Sequence, residues 1–431
     1  MIVEFIVNNF RSIKDEQTFS LYAESGGTQL VDNVVQCPGP GDLNLLRSVG
    51  IYGANASGKS NLLLAFYELQ GLIVDSKSLE DSAKIPSYQP YLLSEATKTQ
   101  PVRFEIEFVV LDGTRYLYKL AFLRDKIVEE RLSFFLTAKE SVLFSRSESD
   151  TWETIKFGSL YKGGKKRFPF FGNNAYLSKA GSSADAPPMA RDVYNYFRQD
   201  IVHIGVNENL GASGMDDARM LKQIEALLSY VDTGVAGVQR EEKEMDATKY
   251  IFPPGMPKQA QEAFLRKMRM QFLFSHSTDE GGMERFEIGE ESAGTRKLFE
   301  LAPLLIDALQ NGGTLLIDEL DNSMHPFMAE LVIKLFNDPE ANRGKGQLIF
   351  TTHNIGLMSP ELLRRDQIWF AEKTEGASRF YSLDDFDKKK VTPTSPFNRW
   401  YAEGRFGAVP KIDYQGLVAM LKEGAADAKE K

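Results

Sequence analysis

The segment Gly53-Ala54-Asn55-Ala56-Ser57-Gly58-Lys59-Ser60 matches G-x-x-x-x-G-K-[ST]. A short apolar run, SVGIY at 48–52, leads into it. Leu62, Phe66, Leu69 and Ile73 follow at the spacing of one helical face. Strand, glycine-rich turn and helix in that order commit the chain to an α/β fold with a phosphate-wrapping loop. Glycines let backbone N–H groups turn toward an anion, and a helix N-terminus adds partial positive charge. Lys59 can reach the β- and γ-phosphates, and the Ser60 hydroxyl can ligate Mg²⁺. ATP with Mg²⁺ is the expected ligand. Gly53, Asn55, Ala56, Ser57, Gly58, Lys59, Ser60 and Asn61 are its expected contacts.

A second buried-strand run, Thr314 to Ile317, ends in Asp318-Glu319. A carboxylate at the C-terminal end of a parallel strand points into the crevice where nucleotides bind. Asp318 is expected in the Mg²⁺ shell and Glu319 as the group that polarises a water. One strand later, Leu348 to Thr352 leads to His353, expected beside the γ-phosphate. Ser292-x-Gly294 precedes a helical pattern running from 297 through Leu298, Leu301, Leu305 and Leu309, with Pro303 inside it. A helix start of this kind binds anions, although an N-cap serine alone has the same look.

Elsewhere the chain is ordinary. Its 431 residues are 42% apolar and 26% charged, and 51 Lys and Arg against 60 Asp and Glu give −9. That balance argues against a general polycation-binding surface. One cysteine excludes a disulfide framework and a cysteine-based zinc site. The opening MIVEFIVNNF is unlike a secretory signal, and no apolar run is long enough to span a bilayer, so a cytoplasmic protein without membrane contact is expected. Strict alternation from Val102 to Phe122 around Asp112-Gly113 predicts an antiparallel hairpin within a β-region ending near 160. GSSADAPPMA at 181–190 reads as a linker, and 190–275 reads mostly helical. The tail GAADAKEK reads as frayed. The organisation expected is an ATPase lobe at 1–180, a mostly helical insertion at 181–276 and a second lobe at 277–431. Lys156, Lys162, Lys165, Lys166 and Arg167, interleaved with Tyr161, Phe168 and Phe170, form a basic cluster. It suits nucleic acid or an acidic partner, or is simply a solvated hairpin tip.

The order of phosphate loop, GEESAGTRK (289–297), DELDNSMHP (318–326) and TTHN (351–354) resembles an ABC-type ATPase head of the SMC/RecF/OLD group. NNFRSI (8–13) and GRFGAVP (404–410) narrow the likeness to the RloA-type ATPases of bacterial phage-defence loci, including the AbiL and AriA kinds. The resemblance implies a P-loop NTPase head of the ABC type and a head-to-tail homodimer or higher homo-oligomer sandwiching ATP. In it Ser292 and Gly294 would cap the partner's γ-phosphate. It also implies that Arg11 approaches the nucleotide, the alternative being a surface arginine. Gln89 is the candidate for the glutamine loop of such heads, the alternative being a plain loop residue. The stretch after His353 is shorter than a nuclease domain would need, so a toxic, nuclease-like effector is expected on a separate subunit. A nucleic acid or a phage protein would be the trigger. A RecF-like DNA-repair ATPase is the other reading.

Overall fold

The computed structural model describes residues 1–25, 29–37, 43–206, 208, 215, 217–244, 250, 252–253 and 255–427. A six-stranded sheet carries the site. Its order is Ile201–Ile204, Thr314–Ile317, Gln347–Thr351, Ser48–Tyr52, Ile368–Thr374 and Ala377–Ser382. The first five strands run parallel and the last is antiparallel. Register aligns Ile317 with Phe350 and Thr351 with Ile51, so the residues after three neighbouring strands emerge at one edge.

The second sheet is antiparallel and seven-stranded. It runs Lys156–Phe157, Glu140–Ser147, Ile127–Phe135, Arg115–Phe122, Val102–Val109, Ile2–Asn8 and Gln17–Ser20. This is the expected β-region, with the hairpin pairing Val109 and Arg115 around Asp112-Gly113. The helix Lys59–Asp75 lies between the two sheets because it is apolar on more than one side. Phe66 stacks on Phe5 with ring centroids 3.8 Å apart, and Leu316, Ile349 and Trp369 join the same core. On the other face of the parallel sheet lie the helices Ala293–Asn311 and Pro326–Asn337, through Leu298, Leu301, Leu305, Val332 and Phe336. The first begins at Ala293, ahead of the expected 297, and runs on through the buried Pro303.

The region 181–276 differs from its expected character. It contributes the edge strand Ile201–Ile204 to the parallel sheet. It also supplies Val235–Glu242 and most of Met270–Ser277, which pair with Met283–Glu287 in a three-stranded sheet. Phe272 and Phe274 of that sheet pack on Phe299. Helices there are Pro188–Asn195, Ala218–Tyr230 and Lys258–Arg269. The 181–190 stretch is a tight corner rather than a linker: a Cβ on Gly181 would meet Tyr194 Cβ at 2.2 Å. Of the tail, 424–427 end the helix Tyr414–Asp427, and 428–431 lie outside the described residues.

One buried ion pair ties the antiparallel sheet to the helix Tyr176–Gly181. The fully buried Glu130 accepts from Arg146 Nε at 2.9 Å, Tyr118 Oη at 2.9 Å, and the amides of Tyr176 and Leu177 at 2.7 and 2.9 Å. Four donors offset the desolvation of that carboxylate, and two of them are first-turn amides without intrahelical acceptors.

Candidate active site

The turn after Tyr52 departs from extended backbone at once. Gly53 has φ 155° and Gly58 φ 109°. A Cβ on Gly53 would sit 2.3 Å from the Ala371 carbonyl oxygen, and one on Gly58 would sit 2.2 Å from Ser378 Oγ. Both positions therefore require glycine. Asn55, Ala56 and Ser60 are exposed on the loop's outer side, while Ser57 and Lys59 are buried. The loop ends in the first turn of the Lys59–Asp75 helix, where N–H groups have no intrahelical acceptor. Asn61, expected as a ligand contact, commits its side chain elsewhere: Nδ2 donates to Ser12 Oγ at 2.6 Å.

Lys59 Nζ donates to the Gly53 carbonyl at 2.9 Å and the Ala54 carbonyl at 3.2 Å, and lies 3.1 Å from His353 Nε2. An ammonium has no lone pair, so His353 accepts there and carries its proton on Nδ1. Burial pushes the Lys59 amine down to about 8, with Asp318, Glu319 and Asp321 pulling the other way. His353 is also lowered, by burial first and then by the Lys59 charge.

Register brings the acidic strand end to the same place. Thr351 Oγ1 donates to Asp318 Oδ1 at 2.5 Å and accepts from the Glu319 amide at 2.8 Å. Glu319 takes a left-handed conformation, φ 55°, and its carboxylate lies 4.0 Å from His353 Nε2. Such a φ costs a non-glycine residue about 1 kcal/mol or more and recurs at functional sites. Asp321 accepts from Thr352 Oγ1 at 2.5 Å. Lys59, Asp318, Glu319 and His353 thus converge, held by Thr351, Thr352 and Asp321. The sequence reading did not single out these last three, although the threonines directly precede His353 and Asp321 lies in the motif after Glu319. Serine hydroxyl and aspartate carboxylate are hard oxygen donors, so Ser60 and Asp318 fit Mg²⁺ in kind.

Ser292 and Gly294 lie at the start of the helix Ala293–Asn311. Ser292 caps its helix, its Oγ accepting from the Thr295 amide at 3.0 Å, yet stays exposed. A Cβ on Gly294 would lie 3.3 Å from the Ser323 carbonyl, in the turn after Glu319. Arg11 is exposed with φ 50°, on a turn anchored by its amide to the Gln89 carbonyl. Gln89 Nε2 donates to Glu68 at 3.2 Å. In the basic cluster, Tyr161 and Phe168 are buried and Arg167 lies over Phe157, so those aromatics are anchors and offer no stacking surface. Among the described residues no helix is long and apolar enough to cross a membrane, and no group of three or more His, Cys, Asp or Glu side chains is arranged to hold a metal ion.

The SMC head domain from Thermotoga maritima is 11% identical, over 88% of this chain and 98% of that one, with a TM-score of 0.40. An Smc head with an extended coiled coil, bound to the C-terminal domain of ScpA and derived from Pyrococcus furiosus, is 13% identical over 90% and 97%, with a TM-score of 0.41. The recombination mediator protein RecF, in a structure titled RecF-ATPrS, is 11% identical over 88% and 98%, with a TM-score of 0.36. Superpositions this loose carry no argument. The comparison with curated proteins gives no match. A family profile described as "AAA domain, putative AbiEii toxin, Type IV TA system" matches residues 48–359, from the strand before the phosphate loop to beyond His353. The chain belongs to this AAA-domain family and is an ATP-hydrolysing P-loop enzyme.

Proposed function

We propose that this ATPase is the sensor or regulator of an anti-phage, abortive-infection system, and that it controls a toxic effector on a separate subunit. The family description, which names an AbiEii-type toxin and a type IV toxin–antitoxin system, supports a link to such systems. The observation that carries the regulatory reading is the exposed Ser292 at a helix N-terminus, whose hydrogen bonds go to Thr295 and Arg296 of its own helix. A site that needs a second copy couples nucleotide occupancy to assembly, and assembly can hold or release a partner.

In this reading Lys59 and the loop amides bind the phosphates, Ser60 and Asp318 hold Mg²⁺, and Glu319 orients the attacking water. His353 and the partner's Ser292 and Gly294 close the site, with Arg11 at its margin. Mg²⁺, when bound, neutralises phosphate charge; the chain supplies position and field. The protein would work in the cytoplasm.

The test is phage challenge of cells carrying the gene with and without its genomic neighbours. Protection that needs both an adjacent nuclease-like gene and an intact Lys59 supports the reading. A phenotype confined to DNA-damage repair would favour the RecF-like alternative.

A further inference from the structure

Ser12 and Ser378 come from opposite ends of the chain and meet behind the phosphate loop. Ser378 is 3% exposed and Ser12 9%. The Ser378 amide donates to the Ser12 carbonyl at 2.7 Å, and their hydroxyl oxygens are 2.8 Å apart. Ser378 Oγ is also 2.6 Å from the Ser57 carbonyl, and Asn61 Nδ2 is 2.6 Å from Ser12 Oγ. Chemistry fixes the direction of these bonds. A carbonyl only accepts, so the Ser378 hydrogen goes to Ser57. The Ser12 hydrogen then goes to Ser378, and the Asn61 amide supplies Ser12.

This one-way relay starts in the first turn of the helix and ends on the loop. It joins the two ends of Ser57-Gly58-Lys59-Ser60-Asn61, the segment that carries the lysine of the phosphate loop. Gly58 lies against the same two hydroxyls, so loop and relay fit without spare room.

We propose that Ser12 and Ser378 are positioning residues that hold the phosphate loop in its nucleotide-binding shape. They would act through Ser57 and Asn61 without touching the nucleotide. The proposal rests on the ATP-binding reading of the site.

ATP affinity by calorimetry is measured on wild type, Ser12→Ala, Ser378→Ala and the double variant, with melting temperature and kcat alongside. Each single change should weaken Kd about fivefold to tenfold, with kcat at saturation nearly kept. The double should resemble a single, because a relay broken once is broken. Ser12→Thr, which keeps the hydroxyl, should restore affinity. If Ser378→Ala does not fold, the Ser12 pair carries the test. Singles that melt earlier yet bind ATP within about twofold of wild type would reduce the serines to fold stabilisers and overturn the proposal. Effects that multiply in the double would overturn it too. Wild type failing to bind ATP would overturn the site reading and this proposal together.

Discussion

Lys59, at the start of the helix after the strand Ser48–Tyr52, and His353, just past the neighbouring strand Gln347–Thr351, share a 3.1 Å contact in which the ammonium donates and the imidazole accepts. The two backbone carbonyls take the other two hydrogens of the ammonium. A phosphate must therefore win this donor from existing acceptors. Nucleotide arrival and the position of His353 are linked through one shared hydrogen bond.

Lys59→Ala should weaken ATP binding by about tenfold to a hundredfold, the range for a charge-assisted hydrogen bond. Calorimetry on the purified variant measures it. Normal affinity would count heavily against the site.

Glu319→Gln should bind ATP but turn it over about a hundredfold to ten-thousandfold more slowly, the usual contribution of a general base. The amide keeps the shape and removes the charge. Wild-type turnover in single-cycle kinetics would remove Glu319 from the catalytic role.

ATP affinity should depend on pH through Lys59, whose amine is lowered to about 8. Phosphate favours the charged form, so bound Lys59 titrates higher than free Lys59. Kd should be flat below about pH 8 and rise above it by as much as tenfold per unit. A Kd constant from about pH 7 to about pH 9.5 would contradict this.

Mixing Lys59→Ala with Ser292→Arg should restore partial turnover to two inactive preparations. Each mixed dimer then carries one site with both halves intact. Fluorescence transfer between labelled chains checks that subunits exchange. A monomer with full activity at every dilution would end the two-chain site.

Glu130→Ala should cost about 3–5 kcal/mol of stability, because it leaves Arg146 buried without its carboxylate. Denaturant unfolding measures the loss. A change under about 1 kcal/mol would mean that the pair is relaxed by water.

The parts of the site legible in the sequence are those written in contiguous motifs. The phosphate loop, the Asp318-Glu319 strand end and His353 each follow a short apolar run, and the motif after each run marks it as a buried strand. The helices flanking them show the 3.6 period. The strands within 181–276 escape the sequence for a physical reason. Ile201–Ile204 is four residues long, too short for its period to separate strand from helix. Val235–Glu242 has a mostly exposed second half, so its alternation is weak. The helix Ala293–Asn311 reads as starting late because Ala293 and Gly294 carry no apolar signal, although Ser292 marks the cap. Ser12 and Ser378 were invisible for a different reason: a contact between residues this far apart in the chain leaves no local pattern.

The Ala54 amide donates to the Ala408 carbonyl at 2.9 Å, within the motif GRFGAVP. The loop is made early in synthesis, but this partner emerges last among the segments that touch it. At ~5–20 residues per second the delay is tens of seconds. Through that interval a nascent chain holds a phosphate loop without the carbonyl that receives its Ala54 amide.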